Sequence, residues 1–351
     1  MESGKTRKDQ TSRIPYGLTL LGFSLLLVVL VLVSAGLGYM KIPIADVVRA
    51  LVDSFSTAAS QSEEIRAVIV DVRLPRIITA VLVGAGLAVS GAVFQGILLN
   101  PLSDPYTLGI SAGAAFGAAI AIVFNTGFSS LSIPLSAFAG ASATLFFVIF
   151  LAGSGKEGRG GLSSSNLILS GIMISAILSA GISFLKYLAD EQVSVIVFWL
   201  MGSFTSATWT HAVILLSAIV PGFVVAFYYA RDLNLMSLGE RSAKTLGVET
   251  SKITLILLAT ASFITAVCVS VSGIIGFVGL LVPHMVRLMA GPDNRKLLPL
   301  SLVLGGILLL SADTVTRAVL YSEIPIGVLT ALIGGPVFCF LFKRSHMTGR
   351  G

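Results

Sequence analysis

The sequence contains little charge, since only 11% of its 351 residues are Asp, Glu, Lys or Arg, while 55% are hydrophobic. A soluble globular domain carries about 25% charged residues, so this composition argues against a water-soluble globule. Cysteine is also scarce. The two cysteines, Cys268 and Cys339, lie in apolar stretches and predict neither a disulfide framework nor a metal site.

The sequence also lacks the short motifs of common enzymes. It has no Gly-x-x-x-x-Gly-Lys-Ser/Thr phosphate loop, no His-Glu-x-x-His helix and no Gly-x-Ser-x-Gly elbow. His284 and Asp313 fall on different apolar segments, with nothing in the sequence to bring them together. We therefore expect no bond-making chemistry and no cofactor in this chain.

Long apolar blocks dominate what is present. Crossing the hydrocarbon core takes about 20 apolar residues in a helix, and the breaks between the blocks divide the chain into about ten such segments. The predicted fold is thus an all-α integral membrane protein. The predicted crossings cover residues 17–38, 75–99, 107–124, 131–151, 166–187, 212–229, 253–271, 274–289, 297–315 and 325–342.

The positive charges are unevenly placed along these segments. Most of the 23 Lys and Arg fall in the N-terminal tail, near Lys156, and in the segments 231–252, 287–296 and 343–350. An excess of Lys and Arg marks cytoplasmic loops, so both termini are expected in the cytoplasm. The net charge of +6 then reflects membrane topology and not binding to nucleic acid. The predicted organisation is a tail over 1–16, one transmembrane domain over 17–343 with a cytoplasmic loop at 231–251, and a tail over 344–351.

Four sets of residues go beyond generic hydrophobicity. They are Arg73-Leu-Pro-Arg76 with the stretches 84–91 and Asn100-Pro-Leu-Ser-Asp-Pro105; Trp199-Leu-Met-Gly-Ser-Phe204; the segment 233–247; and Gly276-Phe-Val-Gly-Leu-Leu-Val-Pro-His-Met-Val-Arg287 with Asp313, Arg317 and Glu323-Ile-Pro-Ile-Gly327. In this order and spacing they resemble the FecCD family of permeases, which import iron-siderophores, haem and vitamin B12.

The resemblance implies a type II ABC importer permease in a bacterial or archaeal cytoplasmic membrane. It further implies a homodimer of ten-helix subunits, two ATPase subunits that carry ATP and magnesium, and an extracytoplasmic substrate-binding protein. Iron-siderophore is the first expected cargo, with haem or cobalamin next. The alternative is a secondary transporter driven by an ion gradient, but the apolar segments show no clear mid-membrane carboxylate for that mechanism.

The cytoplasmic segment 233–247 is expected to be helical, to break at Gly239 and to carry an apolar stripe. The resemblance implies that it couples the permease to the ATPase, with charges at the rim of the seated surface. A helix that lies on lipid is the alternative. The residues implied are Leu233, Leu235, Leu238, Gly239, Glu240, Arg241, Ala243, Leu246 and Gly247.

Three arginines are expected at the outer surface, where positive charge is not favoured. They are Arg73, Arg76 and Arg317, and the resemblance implies that they dock acidic residues of the binding protein. Snorkelling, or pairing with Asp71 or Asp313, is the alternative.

The ends of the second and fifth crossings are rich in small polar residues and proline. The resemblance implies narrow gates formed by Asn100, Leu102, Ser164 and Ser165. Ordinary helix ends, with Ser165 as an N-cap and Pro101 as a terminator, are the alternative.

Overall fold

The computed structural model describes residues 15–38, 40, 42–53, 63–124, 131–154, 163–318 and 323–348, and every regular element in these ranges is helical. Seven helices are long and apolar enough to cross a membrane, and three apolar helices are shorter. Together they confirm the ten predicted segments. The ten are α1 (Tyr16–Gly36), α4 (Leu74–Ile97), α5 (Ile110–Val123), α6 (Ser132–Gly153), α7 (Ser164–Leu188), α9 (Trp209–Tyr228), α12 (Thr250–Ser272), α13 (Val278–Ala290), α14 (Asn294–Ala318) and α15 (Ile326–Thr348).

Five further helices are short; four lie between these spans, and α3 leads into α4 without a break. They are α2 (Ile44–Asp53), α3 (Glu63–Ala67), α8 (Val193–Leu200), α10 (Ala230–Met236) and α11 (Glu240–Thr245). We call the end of the helix bundle that carries α10 and α11 the inner end. The end that carries Arg76 and Asp313 is called the outer end.

The predicted tails are only partly described. The N-terminal tail and the basic loop around Lys156 lie outside the described residues, apart from the start of α1. The predicted C-terminal tail over 344–351 is largely helical, because α15 continues as far as Thr348.

Helix α4 is the centre of the bundle, and it packs against α9, α12, α13 and α14. Glycines allow the backbones to touch: a Cβ atom at Gly84 would overlap the carbonyl oxygen of Gly305 in α14, and one at Gly91 would overlap that of Gly279 in α13. Small residues allow this close approach in lipid, where no hydrophobic effect drives helices together. The glycine-rich stretch in the sequence is therefore a packing surface.

A side chain at Gly91 should separate α4 from α13. We expect Gly91→Val to lower the free energy of unfolding by at least about 1–3 kcal/mol, the range typical of overpacking. The reason is that the carbonyl of Gly279 has no room to move aside. The melting temperature of the purified protein in detergent measures this. Gly22→Val is the control, since a Cβ atom at Gly22 would meet no atom within 4 Å. Equal melting temperatures for the two variants would contradict the close contact.

The second crossing starts earlier than the sequence predicted. Instead of beginning near Pro75, the helix is continuous over Glu63–Ile97 and passes through a π-helical turn at Val68–Arg73. Proline has no backbone N–H and its ring clashes with the carbonyl one turn earlier in a regular helix. The wider π turn directly before Pro75 accommodates both effects.

The eighth crossing is shorter than the predicted range 274–289, because α13 begins only at Val278. The preceding segment is not helical, and Phe277 has a φ of 67°. The hydroxyl of Tyr106 donates to the carbonyl of Ile275 at 2.8 Å and accepts from its N–H at 3.3 Å. Such bonds satisfy the backbone groups that a helix would have paired, which is required of irregular backbone inside a membrane.

Candidate functional site

The inner end carries the helix pair predicted over 233–247. Gly239 has a φ of 99° and separates α10 from α11, and Gly247 has a φ of 85° where α11 has ended. Residues with side chains rarely adopt such angles, so each glycine permits a turn of the chain. The prediction of two short helices divided at Gly239 is confirmed.

This helix pair presents two exposed leucines. Leu238 is 63% exposed and Leu246 is 59% exposed. Glu240 and Arg241 are also exposed, and Glu240 pairs with Lys244 one turn along α11, at 2.7 Å. An apolar patch with charges beside it is the arrangement expected of a surface that receives a partner protein. We call Leu238, Glu240, Arg241 and Leu246 the coupling patch.

Two residues predicted for the same surface point the other way. Leu233 and Ala243 are fully buried within the chain, and Leu233 lies against Gly96 of α4. Leu235 is partly buried. The prediction that Ala243 belongs to the seated surface is therefore wrong, because α11 turns this face toward the permease itself. Buried residues of this kind hold the pair against the bundle.

The outer end is organised around one buried carboxylate. Asp313 is 1% exposed, and each of its two oxygens meets a different arginine. Arg76 donates to Oδ1 from Nε at 3.0 Å, and its Nη2 lies 2.9 Å from the same oxygen. Arg317 donates from Nε to Oδ2 at 2.9 Å, and also bonds the hydroxyl of Ser34 at 2.6 Å. We call Arg76, Asp313 and Arg317 the outer ion cluster.

The structure corrects two of the three predicted docking arginines. Arg73 is buried and donates to the carbonyl groups of Ala35 and Met40, and Arg317 is enclosed by Asp313 and α1. Their guanidinium groups are already satisfied within the chain and do not face a partner. Arg76 and Arg317 instead pair with Asp313, which is the alternative interpretation of the outer arginines.

Arg76 differs because its second partner is accessible. Its Nη1 lies 3.1 Å from an oxygen of Glu323, whose side chain is 48% exposed. These two residues line a cavity of about 500 Å³ together with Trp199, Thr205 and Ser206. Glu323 begins the motif Glu323-Ile-Pro-Ile-Gly327 shortly after Arg317, but the motif alone does not indicate that Glu323 is a site residue. Nothing in the sequence pointed to Ser34.

Two of the predicted gate residues, Ser164 and Ser165, lie beside the end of α4 at the inner end. The hydroxyl of Ser164, at the start of α7, lies 3.5 Å from the carbonyl of Ile97, at the end of α4. A polar cavity of about 260 Å³ beside it is lined in part by Leu99, Ser165 and Glu240. The end of α4 therefore lies close to both α7 and the coupling patch.

The chain after α4 makes a tight turn. Asn100 accepts from the N–H of Leu102 at 2.9 Å, Leu102 is 40% exposed, and Leu99 has a φ of 50°. The residue that precedes α7 is Ser163, so the alternative N-cap at Ser165 is displaced by two residues, and Ser163 itself makes no side-chain capping bond.

Among the described residues, no group of three His, Cys, Asp or Glu is placed to hold a metal ion. The ring of His284 lies 6.4 Å from that of Phe338 in α15, as a packing contact between helices. The described residues form a helix bundle with an exposed patch at the inner end, an ion cluster at the outer end and a tight turn after α4.

Comparison with known proteins agrees with this arrangement. The model of the FecCD transport family matches residues 26–344. The cobalamin import system permease protein of Halobacterium salinarum is 42% identical over 281 residues, 80% of this chain and 74% of the relative. The hemin transport system permease protein of Yersinia pestis is 38% identical over 338 residues, 93% and 96% of the two chains.

A solved structure is similar over nearly the whole fold. It is described as a metal-chelate type ABC transporter in an inward-facing conformation, and the match has a TM-score of 0.82 at 36% identity, covering 94% of this chain and all of the other. ABC permeases are the non-catalytic membrane-spanning subunits of their transporters. The family match, the relatives and the ten-helix bundle together show that this chain belongs to the FecCD transport family and is an ABC importer permease.

Proposed function

We propose that this permease imports a metal chelate, with ferric siderophores as the first class and haem or cobalamin next. The observation that carries the proposal is the coupling patch: two exposed leucines on a short helix pair that is anchored to a ten-helix membrane bundle. A gradient-driven transporter has no need for such a surface. The buried carboxylate Asp313 also lies at the outer end between two arginines and is not positioned as a mid-membrane proton carrier.

The transport cycle follows from where the surfaces lie. A loaded binding protein docks at the outer end, where Arg76 and Glu323 border the open cavity, and an acidic group of that protein competes with Glu323 for Arg76. ATP binding and hydrolysis on two partner ATPases move α10 and α11 through the coupling patch. The turn at Asn100 and Leu102 and the start of α7 at Ser164 and Ser165 then open or close the inner end.

The topology follows from the same assignment. Ten spans place both termini on one side of the membrane, and α10 and α11 must face the cytoplasm to meet an ATPase. The termini are therefore cytoplasmic in this proposal, in agreement with the positive charges of the sequence.

A second copy of the chain is the proposed neighbour of α15. A cavity of about 440 Å³ lies between α13, α14 and α15, and its lining is apolar, with Leu281 and Ile333 among its residues. On α15, Leu332 and Phe340 are exposed by 71% and 63%. The cavity on one side of α15 and the exposed apolar side chains on its other side support contact between α15 and a partner subunit. Lipid is the alternative neighbour.

The class of chelate rests on the resemblance, because ferric siderophores are the broadest cargo class of the family. The two relatives are named for cobalamin and hemin at similar identity, so identity does not rank these cargoes. The binding protein, not the permease, makes most of the contacts with a large chelate in this type of transporter.

The proposal is tested by reconstituting the chain in liposomes with an ATPase and a binding protein from the same organism. Ferric hydroxamate, ferric citrate, haem and cobalamin are added in turn, and ATP hydrolysis is measured. We expect one loaded binding protein to stimulate hydrolysis several-fold, and a ferric siderophore to be the effective ligand. Stimulation by haem or cobalamin instead would keep the importer and replace the cargo. A complex whose turnover responds to none of the loaded forms would contradict the importer.

A further inference from the structure

Helix α10 is attached to the bundle by two neighbouring side chains that reach different helices. Leu233 lies against Gly96 near the inner end of α4. The next residue, Asn234, reaches the start of α14. The sequence motifs draw attention to the leucines of this segment and give no role to the asparagine between them.

The side chain of Asn234 makes three hydrogen bonds, all to two consecutive residues. Its Nδ2 donates to Oδ1 of Asp293 at 2.7 Å. Its Oδ1 accepts from the backbone N–H of Asn294 at 2.9 Å and from Nδ2 of Asn294 at 2.8 Å. Both the oxygen and the nitrogen of the Asn234 amide form hydrogen bonds. Only one orientation of the amide allows this, because two donors face the oxygen and a carboxylate faces the nitrogen. Asn294 is buried, while Asn234 and Asp293 are partly exposed, so the three bonds are partly shielded from competing water.

Asp293 is held as a carboxylate. Partial burial alone would raise its pKa, but the bonds from Asn234 and from the backbone N–H of Arg295, with the charges of Arg295 and Lys296, lower the pKa below its usual value. A carboxylate just before a helix also interacts favourably with the N–H groups of the first turn. The bond from Asn234 is therefore charge-assisted at neutral pH, and the charge assistance is lost only as the pH falls through the lowered pKa of Asp293.

Helix α14 leads from this point directly to the outer ion cluster. It begins at Asn294 and contains Asp313 and Arg317 near its other end, about 30 Å away at the rise of an α-helix. Between the two ends, the backbones of α14 and α4 touch at Gly305 and Gly84. Two helices that pack backbone to backbone leave no room for side-chain rearrangement, so they move together more readily than loosely packed helices do.

We propose that Asn234 is a positioning residue that passes movement of the coupling patch into α14 and so to the outer ion cluster. The inference rests on the proposed function, since it assumes that an ATPase moves α10 and α11. In this assignment the inner end of α14 is pulled by the amide of Asn234. The outer end then shifts the Asp313 carboxylate and, through Arg76, the border of the outer cavity.

A cysteine reporter at the outer cavity reads this movement without any cargo. Ser206 is exposed, borders the same cavity as Arg76 and Glu323, and Ser206→Cys is a small change. The background carries Cys339→Ser, because Cys339 is exposed whereas Cys268 is buried. The full complex with the ATPase is labelled with a water-soluble maleimide, once free of nucleotide and once trapped with ATP and vanadate. The ratio of the two labelling rates is the signal.

We expect this ratio to differ from one by several-fold with Asn234 present, and to return to about one in Asn234→Ala, while ATP hydrolysis continues. The isosteric Asn234→Asp keeps the shape of the side chain but replaces the donor to Asp293 with a repelling carboxylate, and should at least halve the response. Ser237→Ala is the control, since the hydroxyl of Ser237, just after α10, donates to the backbone carbonyl of Asn234 and does not reach the start of α14. It should keep the response of the parent chain.

The possible outcomes distinguish failure of the role of Asn234 from failure of the proposed function. A full nucleotide response in Asn234→Ala and Asn234→Asp would overturn the role of Asn234. A parent complex that hydrolyses ATP but shows no response at Ser206→Cys would overturn the transmission through α14. Failure of the parent chain to bind the ATPase at all would instead remove the proposed function on which the inference rests.

Discussion

Replacing both exposed leucines of the coupling patch by glutamate, Leu238→Glu with Leu246→Glu, should weaken binding of the partner ATPase at least tenfold and abolish ATP-driven transport. Both side chains are more than half exposed, so the changes remove little internal contact and the chain is expected to fold. Binding of the ATPase would have to bury two carboxylates without a partner, which costs several kcal/mol at an interface, on the order of 2–5. Co-purification in detergent and ATPase titration on proteoliposomes measure the effect.

A variant at a neighbouring position controls for the effect of the added negative charge alone. Thr245→Glu adds a carboxylate to the same exposed helix but deletes no leucine, and its hydroxyl bonds only within α11. It should retain most of the binding, as should the volume-conserving Leu238→Met. Unchanged affinity in the double glutamate variant would show that the ATPase contacts another surface, and the lipid-bound alternative for this helix pair would then gain support.

Removing the carboxylate of the outer ion cluster, Asp313→Ala, should destabilise the permease by about 3–5 kcal/mol, the usual cost of breaking a buried ion pair from one side. Two guanidinium groups, those of Arg76 and Arg317, lose their shared partner while they remain largely buried. The cluster joins α1, α4 and α14, so loss of the carboxylate is expected to weaken the packing of all three helices. Thermal unfolding in detergent, followed by tryptophan fluorescence, measures it.

Glu323→Gln provides the matched comparison. Glu323 also pairs with Arg76, but its side chain is about half exposed and its contribution to stability should stay within about 1 kcal/mol. The account predicts a large difference between the two variants. Similar melting temperatures for Asp313→Ala and Glu323→Gln would mean that the outer ion cluster does not hold the three helices together.

Much of the fold could be predicted because a membrane imposes a simple rule. A span needs about 20 apolar residues in a helix, so length and composition are enough to find ten segments. The rule does not locate irregular backbone inside an apolar segment. The residues before Val278 are as apolar as a transmembrane helix, and the hydroxyl of Tyr106 that satisfies the backbone groups of Ile275 lies 169 residues away in the chain.

The site was predictable to a smaller extent. The break at Gly239 follows from the chemistry of glycine, and Leu238 and Leu246 follow from the apolar stripe. Periodicity cannot tell which face of a short helix meets its own protein, which is why Ala243 was placed on the wrong side.

The arginines and the asparagine show the same limit at longer range. An arginine at the outer end of a span is equally compatible with docking a partner and with an internal bond. Arg73 bonds carbonyl groups in α1 and just after it, Arg317 bonds Ser34 of α1 besides Asp313 of its own helix, and Asn234 of α10 bonds residues at the start of α14. Pairings between segments that lie tens to hundreds of residues apart leave no local pattern in a single sequence.

The central claim is that partner ATPases drive transport through the coupling patch. It is tested most directly by uptake of a radiolabelled ferric siderophore into proteoliposomes that contain the permease and its ATPase, with the loaded binding protein outside and ATP inside. The account predicts uptake that requires enclosed ATP, is lost in the Leu238→Glu, Leu246→Glu variant and is insensitive to a protonophore. Uptake that continues without ATP and collapses when the ion gradient is dissipated would contradict it and establish the gradient-driven alternative.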